Sequence, residues 1–365
     1  SIPVLYFLLV KSLHALFGYS PDIGRYFSAL FGILSIFTIG YLAKQISNNK
    51  SYLFVIYLIS LNIFLISYSQ ESRVYIFSFF LTSVYLIFFF KIHKNQKKKF
   101  FDLNFIFFNI FQILTFLSFP FTIIVFLSIL TFTFYEYIFF KKKNFQILVS
   151  LFISLTFLII YLPYYLKTVP FAVNWLTQPD LKFYTDFYFT KFFGSRIMGL
   201  IHLIIFITLI IKFHKKIFYE NNYYLFFILN IFLIYFIPIF YGLIFEPAIH
   251  ERYIMFVIIP ITILLSCLIF EIQSQKLKKL LIIFFIVITF ANHFTESTLK
   301  QFFKDREIYK PNFVETYKYI NKSEFKNIYF DLNNFKKENR ERIFNVYKNY
   351  SNYLLNLNSL EIKIF

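Results

Sequence analysis

A chain of 365 residues, 58% apolar and only 15% charged, carries far more hydrophobic surface than a water-soluble domain of that length needs. Its net charge of +18 would suit a nucleic-acid partner, but no aromatic-interleaved basic face lies outside the apolar runs, and that class is excluded. The one cysteine, Cys267, sits within an apolar run as a small packing residue, so neither a disulfide framework nor a cysteine metal site is expected.

In chain order, residues 2–17 read as a short helix that opens at Pro3 and closes at Gly18. It is too short to cross a bilayer, and Lys11 and His14 interrupt its apolar surface, so it is expected to lie on the outer interface. Tyr19-Ser20-Pro21-Asp22 then supplies a turn and a helix N-cap. Ten apolar runs follow, near 23–43, 51–69, 74–90, 101–119, 121–140, 145–166, 197–211, 223–245, 253–270 and 280–293. Crossing a hydrocarbon core takes roughly 20 residues of helix, so each run is a candidate span.

The cations fix the orientation. Lys44 and Lys50; Lys91, Lys94, Lys97, Lys98 and Lys99; Lys141, Lys142 and Lys143; Lys212, Lys215 and Lys216; and Lys276, Lys278 and Lys279 fill every second connection. The other connections hold only Arg73, Lys167, Lys182, Lys191, Arg196 and Arg252, a split of 16 to 6 that makes the lysine-rich face cytoplasmic. Those lysines meet anionic headgroups. On the opposite face, Ser118-Phe119-Pro120-Phe121 is so short that its flanking helices must form a tight pair. The long segment from Lys167 to Arg196, with Trp175 and many tyrosines, reads equally as an interfacial stretch or as a lid over an outer cavity. After His293 the apolar runs stop. The tail reads as a small outer α/β domain, with a polar helix over 312–321, a strand over 327–330, a charged helix over 336–350 and a closing strand near 362–365. The expected domains are therefore 1–293 in the membrane and 294–365 outside it.

Polar groups gathered at one membrane face are the best site candidates, because each is costly there unless paired or wetted. Tyr68-Ser69-Gln70-Glu71-Ser72-Arg73-Val74-Tyr75 joins two runs so tightly that Glu71 and Arg73 mark the ends of two helices. Alone they read as an ion pair at a helix end; more sharply, Arg73 offers phosphate a planar fork that Glu71 orients. Glu246 to Tyr253 puts two carboxylates, His250 and Arg252 at the same face. The spacing of His250 fits no zinc template, and Arg252 is the better phosphate candidate. Arg25 with Asp22 reads as a capping pair or as a third cluster. No cofactor is read from the residues, no metal ligands are assigned, and a divalent metal is compatible with phosphate chemistry.

The segments Pro3-Val4-Leu5-Tyr6-Phe7-Leu8-Leu9, Leu16-Phe17-Gly18 and Arg25-Tyr26-Phe27-Ser28-Ala29-Leu30-Phe31-Gly32 resemble the start of the bacterial glycosyltransferase 39-like family. These are GT-C fold enzymes related to protein mannosyltransferases, aminoarabinose transferases and rhizobial lipopolysaccharide transferases. Tyr68 to Tyr75 is similar to the family's Tyr-Ser-Gln-Glu-Ala-Arg-Met-Tyr, differing at Ser72 and Val74. Asn174-Trp175-Leu176, Arg252-Tyr253 ahead of Pro260, and Lys310-Pro311-Asn312-Phe313 are similar to later signatures. The resemblance implies an inverting transfer of a sugar from a polyprenyl-phosphate donor to a lipid, glycan or protein acceptor, on the outer face of a bacterial inner membrane. Arg73, Arg252 and Glu71 would take the donor phosphate, and Tyr68, Tyr75, Tyr253, His250 and Trp175 would line the cavity. The family's acidic base lies upstream of the motif with which this chain begins, so the first span and that aspartate are expected to lie before Ser1. Two rival readings stand beside it: a transporter of polysaccharide or carrier lipid, and an oligosaccharide polymerase or ligase.

Overall fold

The computed structural model describes residues 4–20, 22–47, 50–94, 102–142, 144–168, 192–194, 196–245 and 250–294, together with 327–330, 341, 344–345, 348 and 361–364 of the tail. These divide into two compact units, one of 1–9 with 24–293 and the other of 10–23 with 294–365. The described helices are α1 (Val4–Phe17), α2 (Ile23–Ile46), α3 (Ser51–Ser60), α4 (Ile63–Ser69), α5 (Val74–Lys94), α6 (Leu103–Ser118) and α7 (Ile123–Phe140). They continue with α8 (Phe145–Thr168), α9 (Arg196–Lys212), α10 (Asn222–Ile244), α11 (Ile258–Phe270) and α12 (Gln275–Ala291).

Among the described residues, six helical segments are long and apolar enough to cross a membrane: α2, Pro120–Phe140, Phe145–Tyr164, Gln275–Phe294, α5 and α10. The other four apolar runs are helical but shorter or broken. Three form short apolar helices, Leu103–Ser118, Ile197–Lys212 and Met255–Phe270, and the run at 51–69 bends by 57° between α3 and α4. Many large apolar side chains point outward from these helices, Phe152, Ile160, Ile197 and Leu243 among them. A surface of that kind is stable only against lipid or another apolar phase. The chain is accordingly a multi-pass membrane protein whose apolar part is all-α.

Local chemistry explains where the helices start and stop. Asn62, Asp102, Asn144 and Asn221 each accept a backbone N–H with their side chains, from Leu65 at 3.0 Å, Phe105 at 2.9 Å, Ile147 at 3.2 Å and Tyr223 at 3.0 Å. In the apolar medium such caps satisfy N–H groups that have no partner in the first turn. Between α6 and α7, Phe119 is extended and Pro120 opens a single 3-10 turn, so the two helices form the expected tight pair. Lys141 closes α7 in the left-handed region, at φ 55°.

The bundle is built round α5 and α11. In the most apolar stretch of α5 83% of residues are buried, against 22–44% in the other five long segments, and the shorter α11 is buried from Ile258 to Ile269, so these two helices form the centre. Short-range packing then fixes the turn from α4 into α5. Gly24 of α2 leaves no room for a side chain, because a Cβ there would stand 1.9 Å from Ser72 Oγ and 2.9 Å from Ser72 Cβ. Gly32 meets Ser69 in the same way, at 2.8 Å. With Ser28 between them, these small residues at a spacing of four let the α2 backbone approach the turn closely. The Tyr6 hydroxyl donates to the Gly24 carbonyl at 3.4 Å and lies 3.5 Å from Ser72 Oγ. A Gly24→Ala protein is expected to lose about 1–3 kcal/mol as Ser72 is forced aside. Thermal unfolding of the purified protein checks this, and Gly24→Ala combined with Ser72→Gly should recover most of the loss.

In the second unit, β1 (Asn327–Phe330) and β2 (Glu361–Ile364) pair in parallel, with Asn327 opposite Glu361 and Phe330 opposite Ile364. Both stretches match the strands expected from the sequence, within a residue. Parallel strands need a crossover between them; of the connecting residues, Glu341, Phe344, Asn345 and Lys348 are helical. The helix expected over 312–321 lies outside the described residues, as does most of the one expected over 336–350.

Candidate functional site

Two short segments come together at one end of the bundle. The first is the turn from Tyr68 to Tyr75, at the end of α4 and the start of α5. The second is the 3-10 turn Glu251–Tyr253, which leads through Met255–Val257 into α11. His250 builds that second turn. Its Nδ1 accepts the Arg252 N–H at 3.4 Å and stands 3.1 Å from Glu251 Oε2. The two contacts are alternatives, since a neutral ring nitrogen accepts the amide and a protonated one donates to the carboxylate.

Tyr75 is the meeting point. Its buried ring lies 5.7 Å from that of Tyr68, edge to face, and 6.1 Å from that of Tyr253. The Arg252 guanidinium lies over this aromatic floor at cation–π range, its Cζ 5.6 Å from the Tyr75 centroid and 5.4 Å from the Tyr253 centroid. Arg73 reaches the same tyrosine from the other segment, beside the Tyr75 hydroxyl, and its Nε stands 3.5 Å from Glu71 Oε2. Glu71 and Arg73 are both well exposed at 42% and 55%, so their pair adds little stability and leaves the Arg73 fork open to a ligand. Arg252 is the more enclosed cation. Burial opposes its charge, but the oxygens of Tyr75, Tyr253 and Tyr68 more than offset that and hold its pKa above the ordinary value.

Tyr68, Glu71, Arg73, Tyr75, His250, Arg252 and Tyr253 are therefore neighbours. Trp175 and Glu246 lie outside the described residues. Arg25 is exposed on the first turn of α2. Among the described residues, no three His, Cys, Asp or Glu side chains converge as a metal ligand set. Two aromatic walls were missed in the sequence. Phe119 lies 5.4 Å from Tyr75 and 5.6 Å from Tyr253, and Phe121 lies 5.1 Å from Tyr253. The tightness of the α6–α7 reversal was the only hint that this turn would reach the site.

A second polar centre was also missed, at the opposite ends of α5, α7 and α10. Glu136 Oε2 meets His93 Nε2 at 2.5 Å, and its Oε1 accepts from Asn222 Nδ2 at 2.8 Å with Lys142 Nζ at 3.6 Å. Both His93 and Glu136 are buried, under the rings of Phe89, Phe132 and Tyr223. The signal was present: Glu136 is the single carboxylate in the run 121–140, and acidic groups in such runs always need a partner.

No family model matches the chain, and no curated protein or solved structure matches it either.

Proposed function

We propose that this chain is a membrane glycosyltransferase of the GT-C kind, moving a sugar from a polyprenyl-phosphate donor to a lipid, glycan or protein acceptor. On this reading all ten apolar runs are spans of the bacterial inner membrane, the α4–α5 end of the bundle faces outward, and the tail after His293 is a small outer α/β domain. The observation that carries the proposal is the approach of two guanidinium groups, Arg73 and Arg252, to one tyrosine from separate segments. One cation over an aromatic floor and a second beside the Tyr75 hydroxyl suit a lipid-linked phosphate: the forks take its oxygens, and the rings take the first apolar part of the carrier. The resemblance of Tyr68 to Tyr75 to the glycosyltransferase 39-like motif supports the same reading.

In the chemistry, the acceptor oxygen attacks the anomeric carbon from the face opposite the phosphate and the configuration inverts. The bond from that carbon to the phosphate oxygen breaks, and its electron pair leaves with the lipid phosphate. Arg73 and Arg252 stabilise the growing negative charge there, and Glu71 holds Arg73 in line. The acceptor proton passes to a general base, a role assigned to no residue of this cluster.

The protein reconstituted in proteoliposomes with a radiolabelled polyprenyl-phosphate sugar should transfer label to a membrane or periplasmic acceptor fraction, and unlabelled polyprenyl phosphate should compete. Binding of polyprenyl phosphate that survives loss of both arginines would defeat the phosphate assignment. A second reading, transport of a carrier lipid or solute, draws support from the 57° break between α3 and α4, because transporters build their sites on interrupted helices. Movement of the labelled donor across the vesicle membrane without sugar transfer would favour it.

A further inference from the structure

Beside the bend between α3 and α4 lies a cavity of about 450 Å³, counting its open mouth. Its enclosed part has room for about two water-sized groups. The walls come from α9, α11 and α12, and Phe192–Gly194 forms part of the rim. Asn62 Nδ2 donates to the Phe192 carbonyl at 3.0 Å, and Asn292 Nδ2 donates to that of Phe193 at 2.8 Å. Gly194, at φ 92°, approaches Asn292 so closely that a Cβ would stand 2.7 Å from its Cγ. The rim is thus fixed by backbone contacts that leave no space for a larger residue.

The polar groups inside are distinctive. The hydroxyls of Thr82, Thr115, Thr131, Thr133, Thr156 and Thr208 all donate to the carbonyl four residues back, the usual resort of a helical threonine in an apolar setting. Thr262 and Thr289 make no such bond, and both line this cavity. His202 lines it from a third helix and is 5% exposed. Its Nδ1 stands 2.7 Å from the Met198 carbonyl, which only accepts, so Nδ1 carries the proton and Nε2 keeps a lone pair. Two uncommitted hydroxyls and one imidazole acceptor therefore line one small space.

We infer that this cavity binds the hydroxyl edge of a neutral polyol, either a sugar ring or the glycerol of a lipid headgroup. Among the described residues no charged side chain lines it, so an anion would find no counter-charge there. Two hydroxyls and an imidazole fall short of the six or more oxygens that a hard cation takes. A purely apolar guest would strand three polar groups that a polyol satisfies, one of its hydroxyls donating to His202 Nε2 and others exchanging bonds with the two threonines. The seven residues of α4 separate this cavity from the Glu71–Arg73 turn, about 10 Å along a helix. The inference stands whether or not that turn binds phosphate.

The test uses the full chain in detergent micelles, with Cys267, the lone cysteine, replaced by alanine and Leu265→Cys introduced at an apolar position of the lining. Methyl methanethiosulfonate, small and neutral, labels the new thiol, and the rate is read as the gain in mass. Methyl α-D-glucopyranoside or glycerol should slow labelling by about tenfold at about ten times its dissociation constant. Protection by the glucoside identifies a sugar, and protection by glycerol alone identifies a lipid's glycerol. Adding Thr262→Val or Thr289→Val, each of which removes a hydroxyl at nearly constant volume, should abolish that protection, with the rate of each protein without polyol as its own reference. Should Leu265→Cys fail to fold, Ile261→Cys reports on the same space with the same two threonine variants as controls. No labelling at either position, no protection by either polyol, or equal protection by 1-octanol would overturn the inference.

Discussion

Replacing Glu136 with alanine is expected to destabilise the protein by about 3–5 kcal/mol, because it leaves His93 and Asn222 without the carboxylate that joins three helices. The estimate follows from burial. His93 and Glu136 are each 6% exposed in their side chains, so neither can turn to water when the other is removed. Lys142, at 45% exposure, hydrates freely and contributes little to the cost. Glu71→Ala, which breaks the exposed pair with Arg73, should cost about 1 kcal/mol or less. Thermal or dodecyl-sulfate unfolding of the purified protein compares the two. The double variant Glu136→Leu with His93→Phe replaces the buried pair by apolar groups and should recover most of the loss. Equal midpoints for Glu136→Ala and Glu71→Ala would mean that the three helices are held by packing alone.

Much of the fold was legible in the sequence. Length and apolarity alone mark a helical run, and each of the ten runs is helical in the structure. What the runs did not carry is where each helix is interrupted. The run at 51–69 reads as continuous, yet Asn62 turns its side chain back to cap a new helix and the axis bends there. The run at 253–270 begins in 3-10 turns, and Pro260, which has no N–H to offer, sits in the first turn of α11. The candidate site was legible for a related reason. Each of its halves is one unbroken stretch of sequence, Tyr68 to Tyr75 and His250 to Tyr253, and both gather charged and polar residues next to apolar runs. The partners of Glu136 were not legible, because His93 is 43 residues away and Asn222 is 86. Periodicity within one helix says nothing about which other helix will lie against it. The cavity beside Asn62 was hidden for the same reason, its threonines and histidine coming from three separate helices.

The last expectation separates a phosphate ligand from a topological anchor at Arg73. An Arg73→Lys protein keeps the cation but loses the planar fork, so a bidentate contact to phosphate weakens while the helix end stays charged. An arginine that merely reached toward the headgroups would be replaced at little cost, since lysine's flexible stem reaches the same layer. Because the Glu71–Arg73 pair is exposed, its contribution to stability is small, and the unfolding midpoint should not move. Turnover should move. Loss of one charge-assisted contact in the transition state is worth roughly 1.5–3 kcal/mol, or about ten- to a hundredfold in rate. Arg252→Lys should do at least as much, because that guanidinium also lies within cation–π range of Tyr75 and Tyr253, and a compact, strongly hydrated ammonium does not reproduce its fork and its ring contacts together. The measurement is sugar transfer from a polyprenyl-phosphate donor at matched protein levels, with the unfolding midpoint taken on the same samples. Transfer at the unmodified rate by Arg73→Lys, with a slowed Arg252→Lys, would leave Arg252 alone as the phosphate ligand. Unchanged transfer in both would remove the phosphate from this end of the bundle.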